Sequence, residues 1–99
     1  MPTQIAVDDK QIADICKRHH IRKLSLFGSV LRDDFGPESD VDVLVEYQAG
    51  SVIGFEVFDI ERELSGLFGR PVDLISRKYL NPRLRDRILS EAEVHYAEG

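Results

Sequence analysis

Residues 40–46 read Asp-Val-Asp-Val-Leu-Val-Glu, and this strict alternation constrains the chain more than any other segment. Strand side chains repeat every two residues, so Val41, Val43 and Val45 point one way while Asp40, Asp42, Leu44 and Glu46 point the other. Two carboxylates thus share one face of a strand. The run Ile21 to Phe27 is short, apolar and stopped by a Gly-Ser pair, which predicts a first strand upstream. Pro71 to Ile75 predicts a third, with Asp73 facing opposite to Val72 and Leu74.

Helical periods fill the intervals. Asp8 followed three residues later by Gln11 resembles a capping box, and Ile12, Ile15, Cys16 and His19 then recur at helical spacing, predicting a helix over about 8–19. Ile53, Val57, Ile60, Leu64 and Leu67 predict a second over about 52–68, terminated by Gly69. Asn81-Pro82 makes a cap and first turn for a third, with Leu84, Ile88 and Ala92 on one face, and Val94 to Tyr96 adds a last extended piece. Asp33 to Ser39 has Gly, Pro and Ser without apolar period and reads as a loop or a single helical turn. Strands alternating with helices indicate an α/β domain of two layers, with strand order left open.

Bulk properties narrow the function. The 99 residues suffice for one domain with a single core but not to surround a substrate from both sides, so a partner or a second copy, a homodimer, is expected to complete the site. A net charge of -5 provides no broad electrostatic grip on DNA or RNA, so nucleic acid is not the expected ligand. The single cysteine, Cys16, cannot form an internal disulfide, and no apolar stretch approaches membrane-spanning length; a cytoplasmic protein is the expectation. Cys16 lies on the apolar face of the first helix and reads as a buried thiol. His19 and His20 read as solvated, dipole-compensating residues at a helix end, His95 has no visible partner, and Phe55 and Phe58 read as core or dimer contacts. Arg83, Arg85 and Arg87 spread around their helix as a solvated face.

The chemistry concentrates in Phe27-Gly28-Ser29, ten further residues, and Asp40-Val41-Asp42-Val43. A strand ending in Gly-Ser suits phosphate, because glycine lets the backbone approach closely and the hydroxyl and amides donate to phosphate oxygens. Two anions on one strand face repel unless a cation sits between them, and magnesium completes such oxygen ligands with water and substrate phosphates. If the Asp73 strand lies beside the Asp40–Asp42 strand, three carboxylates reach the same metals, the arrangement of two-metal displacement at phosphorus.

The stretch LFGSVLRDDFGPESDVDVLVEY resembles the signature of the polymerase-β-type nucleotidyltransferase superfamily, in which Gly-Ser is followed after about ten residues by Asp-x-Asp. More closely, the chain resembles the minimal nucleotidyltransferase (MNT) antitoxins of HEPN/MNT toxin–antitoxin modules, from the first strand through PVDLI to NPRLRDRIL. The resemblance implies a small two-layer α/β fold over residues 1–99, a mixed sheet with helices packed on one face. It implies that Gly28 and Ser29 bind the triphosphate of ATP and that Asp40 and Asp42 bind metal. Asp73 matches the third acidic position, which helps bind metal and activate the acceptor hydroxyl, and Arg32 matches a basic residue that contacts phosphate or braces the loop. Where many relatives have glycine after this arginine, the chain has Asp33. The implied cofactor is Mg2+, two ions, with Mn2+ as substitute. The implied activity is transfer of AMP from ATP to a tyrosine of a cognate HEPN toxin. The alternative is a non-catalytic antitoxin that neutralises the toxin by stoichiometric binding.

Overall fold

The computed structural model describes residues 7–31, 36 and 39–98. Helix α1 (Asp9–Arg18) is followed by β1 (Ile21–Phe27), a 3-10 turn (Gly28–Leu31), β2 (Val41–Tyr47) and α2 (Glu56–Phe68). Then come β3 (Val72–Ser76), a second 3-10 turn (Arg77–Tyr79), α3 (Pro82–Glu91) and β4 (Glu93–Ala97). The strands form one sheet in the order β3-β2-β1-β4, parallel between β2 and β3 and antiparallel elsewhere, so the expected mixed sheet is observed. The expected loop at Asp33 to Ser39 lies, apart from Gly36 and Ser39, outside the described residues.

Local chemistry sets the helix ends. The Asp8 carboxylate accepts from the amides of Lys10 and Gln11 at 3.0 and 3.3 Å, satisfying donors that α1 leaves unpaired. Helix α2 stops at Gly69, whose φ of 69° lets its N–H turn back to the Ser65 carbonyl. It starts at Glu56, four residues later than the apolar period predicts. No side chain caps that start, and Val52 and Phe55 are 93% and 87% exposed, so the upstream apolar residues gain nothing from the core. Pro82 opens α3, and the Asn81 side chain accepts from the Arg83 amide at 2.9 Å.

The valine face of β2 is the buried one. Val41, Val43 and Val45 pack with Leu24 and Leu26 of β1, Ile12, Ile15 and Cys16 of α1, and Ile60, Leu64 and Phe68 of α2. Each such side chain contributes about 1.5–3 kcal/mol on burial. A register shift between Ile21 and Lys23 turns Ile21 back into this core. The opposite face carries a smaller cluster, Phe27, Leu44 and Leu80, against which Ile75 and the α3 residues Ile88 and Leu89 pack. None of the α3 residues is buried, and Leu84 is exposed.

Two histidines differ from the sequence expectation. His19 is only 12% exposed, with Nδ1 2.6 Å from Glu56 and Nε2 against Glu63, while Arg18 also reaches Glu63 at 2.6 Å. A neutral imidazole has one N–H, so satisfying both carboxylates requires the imidazolium. Burial alone would lower the His19 pKa, but the hydrogen bonds and charges of Glu56 and Glu63 outweigh it and raise it. His95 of β4 stands 2.8 Å from both Asp9 and Glu93, so it has the partners that its sequence context does not reveal. Each end of α1 is thereby tied to another element by a histidine held between carboxylates. Burial pushes the Cys16 thiol up to about 12, consistent with a packing role.

Candidate functional site

The site begins with strand register. Phe27 at the end of β1 pairs with Asp42, and Asp42 pairs with Asp73 on β3. Paired positions share a sheet face, so Phe27, Asp42 and Asp73 stand in a row across three strands, opposite the valines. Gly28 follows Phe27 with φ 75°, and a Cβ placed there would lie 2.2 Å from Asp42 Oδ2 and 3.2 Å from its Cγ. The backbone angle strains any other residue, and a Cβ would push the Asp42 carboxylate aside. The 3-10 turn that follows buries Val30 and Leu31, which anchors the half-buried Ser29 beside this glycine.

Asp40 is exposed and sits one residue ahead of β2, where the Val41 amide donates to the Pro71 carbonyl at 2.9 Å. Arg70 holds the approach: its guanidinium donates to the carbonyls of Gly36 and, at 3.4 Å, Ser39, and its own carbonyl accepts from the Ser65 hydroxyl at 2.7 Å. Sequence reasoning did not single out Arg70; the only signal is an arginine directly before the strand that bears the third aspartate. Arg32 lies outside the described residues.

The register therefore brings Gly28, Asp42 and Asp73 together, while Ser29 and Asp40 occupy the flanking turns. Adjacent carboxylates on one face repel, and hard divalent cations with oxygen ligands are the groups that relieve such repulsion. By donor chemistry and register, Asp42 and Asp73 are a pair that such an ion could bridge. Among the described residues, no group of three or more His, Cys, Asp or Glu side chains is gathered closely enough to hold a metal. A cleft of 780 Å³ lies elsewhere, at the other ends of β2 and β3, where Glu46, Tyr47, Ser76 and Arg77 line it. The carboxylate row and this cleft are different places, and among the described residues the row pairs two acids beside a glycine turn. No helix among the described residues is long and apolar enough to cross a membrane.

Comparison with known proteins bears on the same segments. The sequence profile of the nucleotidyltransferase domain matches residues 9–95. A candidate protein adenylyltransferase of Methanocaldococcus jannaschii is 34% identical over 83 residues, covering 84% of this chain and 88% of that protein. Protein adenylyltransferase MntA of Thermococcus cleftensis is 30% identical over 79 residues, 79% of this chain and 78% of that one. The fold is similar to a chain of a toxin–antitoxin crystallised with AMP-PNP, at a TM-score of 0.73 and 16% identity over 92% of this chain and 74% of that one. It is also similar to a chain in the complex of a tri-AMPylated Shewanella oneidensis HEPN toxin with its MNT antitoxin, at a TM-score of 0.64 and 15% identity over 90% and 69%. The register that sets Gly28 against Asp42 and Asp42 beside Asp73 is thus found in a chain that belongs to the nucleotidyltransferase family, among its minimal members.

Proposed function

We propose that this transferase is an antitoxin that moves AMP from ATP onto a tyrosine hydroxyl of a HEPN-type toxin and releases pyrophosphate. The observation that carries the reading is the row Gly28, Asp42, Asp73 across β1, β2 and β3. Support also comes from relatives named as protein adenylyltransferases and from similar folds in complexes that contain AMP-PNP or an AMPylated HEPN toxin.

Gly28 keeps the turn free of a side chain so that the triphosphate lies against its backbone, and the Ser29 hydroxyl donates to a phosphate oxygen. Arg32 is assigned to the same phosphates. Asp40, Asp42 and Asp73 would hold Mg2+ or Mn2+, which when bound would neutralise phosphate charge and ease deprotonation of the acceptor. The tyrosine oxygen attacks the α-phosphorus, and the bond from that phosphorus to the bridging oxygen breaks. Pyrophosphate leaves with the electron pair, and the hydroxyl proton passes to Asp73.

A second reading, neutralisation by stoichiometric binding, is favoured by the lack of a three-ligand group among the described residues. Incubation with ATP, magnesium and a cognate HEPN protein, followed by mass spectrometry, separates the two. An AMP adduct on a toxin tyrosine that disappears with Asp42→Asn supports transfer. Neutralisation without any adduct, and undiminished by Asp42→Asn, refutes it.

A further inference from the structure

The 780 Å³ cleft at the far ends of β2 and β3 is within the range of small-molecule sites, about 300–1,000 Å³. One side of it is cationic. Arg77, Lys78 and Arg85 line it, and its single acid, Glu46, is already engaged by Arg22 at 2.6 Å and Arg77 at 3.1 Å. Residues 77–87 hold Arg77, Lys78, Arg83, Arg85 and Arg87 against the lone Asp86, in a chain whose net charge is -5. The cleft is therefore an electropositive spot on an acidic protein.

On Arg85, which lines the cleft, the Nε is buried and has no hydrogen-bond partner among the described residues. An unsatisfied buried donor costs about 1–3 kcal/mol, which favours a turn of this guanidinium toward an anionic acceptor in the cleft. Ile53, Val57 and Leu74 give the cleft apolar lining as well, and Tyr79 stands 77% exposed among the lining residues. A ligand matching both kinds of lining has an apolar body and a phosphoryl end.

We propose that this cleft is a second ligand site that takes a nucleoside phosphate, with the phosphoryl group on Lys78 and Arg85 and the ring against Ile53 and Val57. It is separate from the carboxylate row. Asp42 and Glu46 are four residues apart on β2, roughly 13 Å, and Leu44 between them is covered by Leu80. The site needs no metal and does not rest on the transferase reading.

The test is an NMR titration of the full chain with AMP in the presence of EDTA. Saturable shifts of the Gly50, Ser51 and Lys78 amides and of the Arg85 Nε–H are expected, with Gly28 unmoved. Lys78→Gln, at an exposed position, and Arg85→Lys should each weaken binding about tenfold. Asp42→Asn should leave it unchanged, so failure of this site and failure of the transferase reading are distinguishable. Shifts confined to Gly28 and Ser29, or no saturable shift at the cleft, would overturn the proposal. Pyrophosphate binding as tightly as AMP would overturn the nucleoside assignment.

Discussion

The two ends of β2 solve opposite problems. At its start, Asp42 lies against the Gly28 backbone, where an added methyl group would displace its carboxylate, and Asp73 occupies the neighbouring register position. At its end, Glu46 and Tyr47 open onto a cleft walled by the 48–54 segment and the turn at Arg77–Tyr79, with charged and aromatic side chains reaching into solvent. The first end is set by main-chain pairing, which fixes the relative positions of its side chains. The second is set by side chains on short turns, which suits recognition and tolerates substitution.

Substitutions at the two ends should break or sharpen that contrast. The largest effect is expected from Asp42→Asn, which should lower AMP transfer on the order of a thousandfold, corresponding to several kcal/mol of lost charge stabilisation, with the fold intact by circular dichroism. Wild-type rates from this variant would move the chemistry away from the row. Gly28→Ala should follow, because its Cβ meets the Asp42 carboxylate and its φ of 75° disfavours alanine. A stability loss of about 1–3 kcal/mol in urea titration, accompanied by loss of transfer, is expected.

Smaller again is His19→Ala, which should cost about 1–2 kcal/mol by leaving Glu56 and Glu63 without the imidazolium. Its signature is the pH dependence. Because the folded pKa of His19 is raised above 6.5, its contribution is complete below that value and is lost as pH rises through the folded pKa. Glu63 is held low, first by the Arg18 hydrogen bond and then by His19, against the opposing effect of burial. Its contribution is present above 4.5 and lost as pH falls through its depressed pKa. The wild-type chain should therefore lose more stability toward alkaline pH than His19→Ala, and equal slopes above neutrality would refute the imidazolium bridge. The smallest effect is expected at the cleft end: Phe55→Ser, at a position 87% exposed, should change stability by no more than about 0.5 kcal/mol. A larger loss would mean that the 48–55 segment is packed rather than open.

Much of the frame was legible in the residues. The faces of β2, the span of β1, the Asp8 and Asn81 caps and the glycine stop at 69 all follow from chemistry within a few residues. The start of α2 was not, because the apolar residues at 52–55 continue the period without any core to bury them. Phe55 and Phe58, expected in a core or a dimer contact, stack on each other at 6.3 Å and remain exposed in this chain. His19 and His95 looked like surface residues because their partners are 37 to 86 positions away, Glu93 excepted.

By itself the sequence determined which segments extend or coil, which side of each strand is apolar, and where glycine and paired aspartates recur. These are matters of two-residue and three-to-four-residue periods and of single-residue turn chemistry. Only the tertiary structure decided that β3 lies beside β2 in parallel, that Gly28 abuts Asp42, that Arg70 braces the approach to Asp40, and that a cationic cleft opens at the opposite end. Those facts depend on register between distant strands, and register is set by how whole faces pack rather than by any local run of residues.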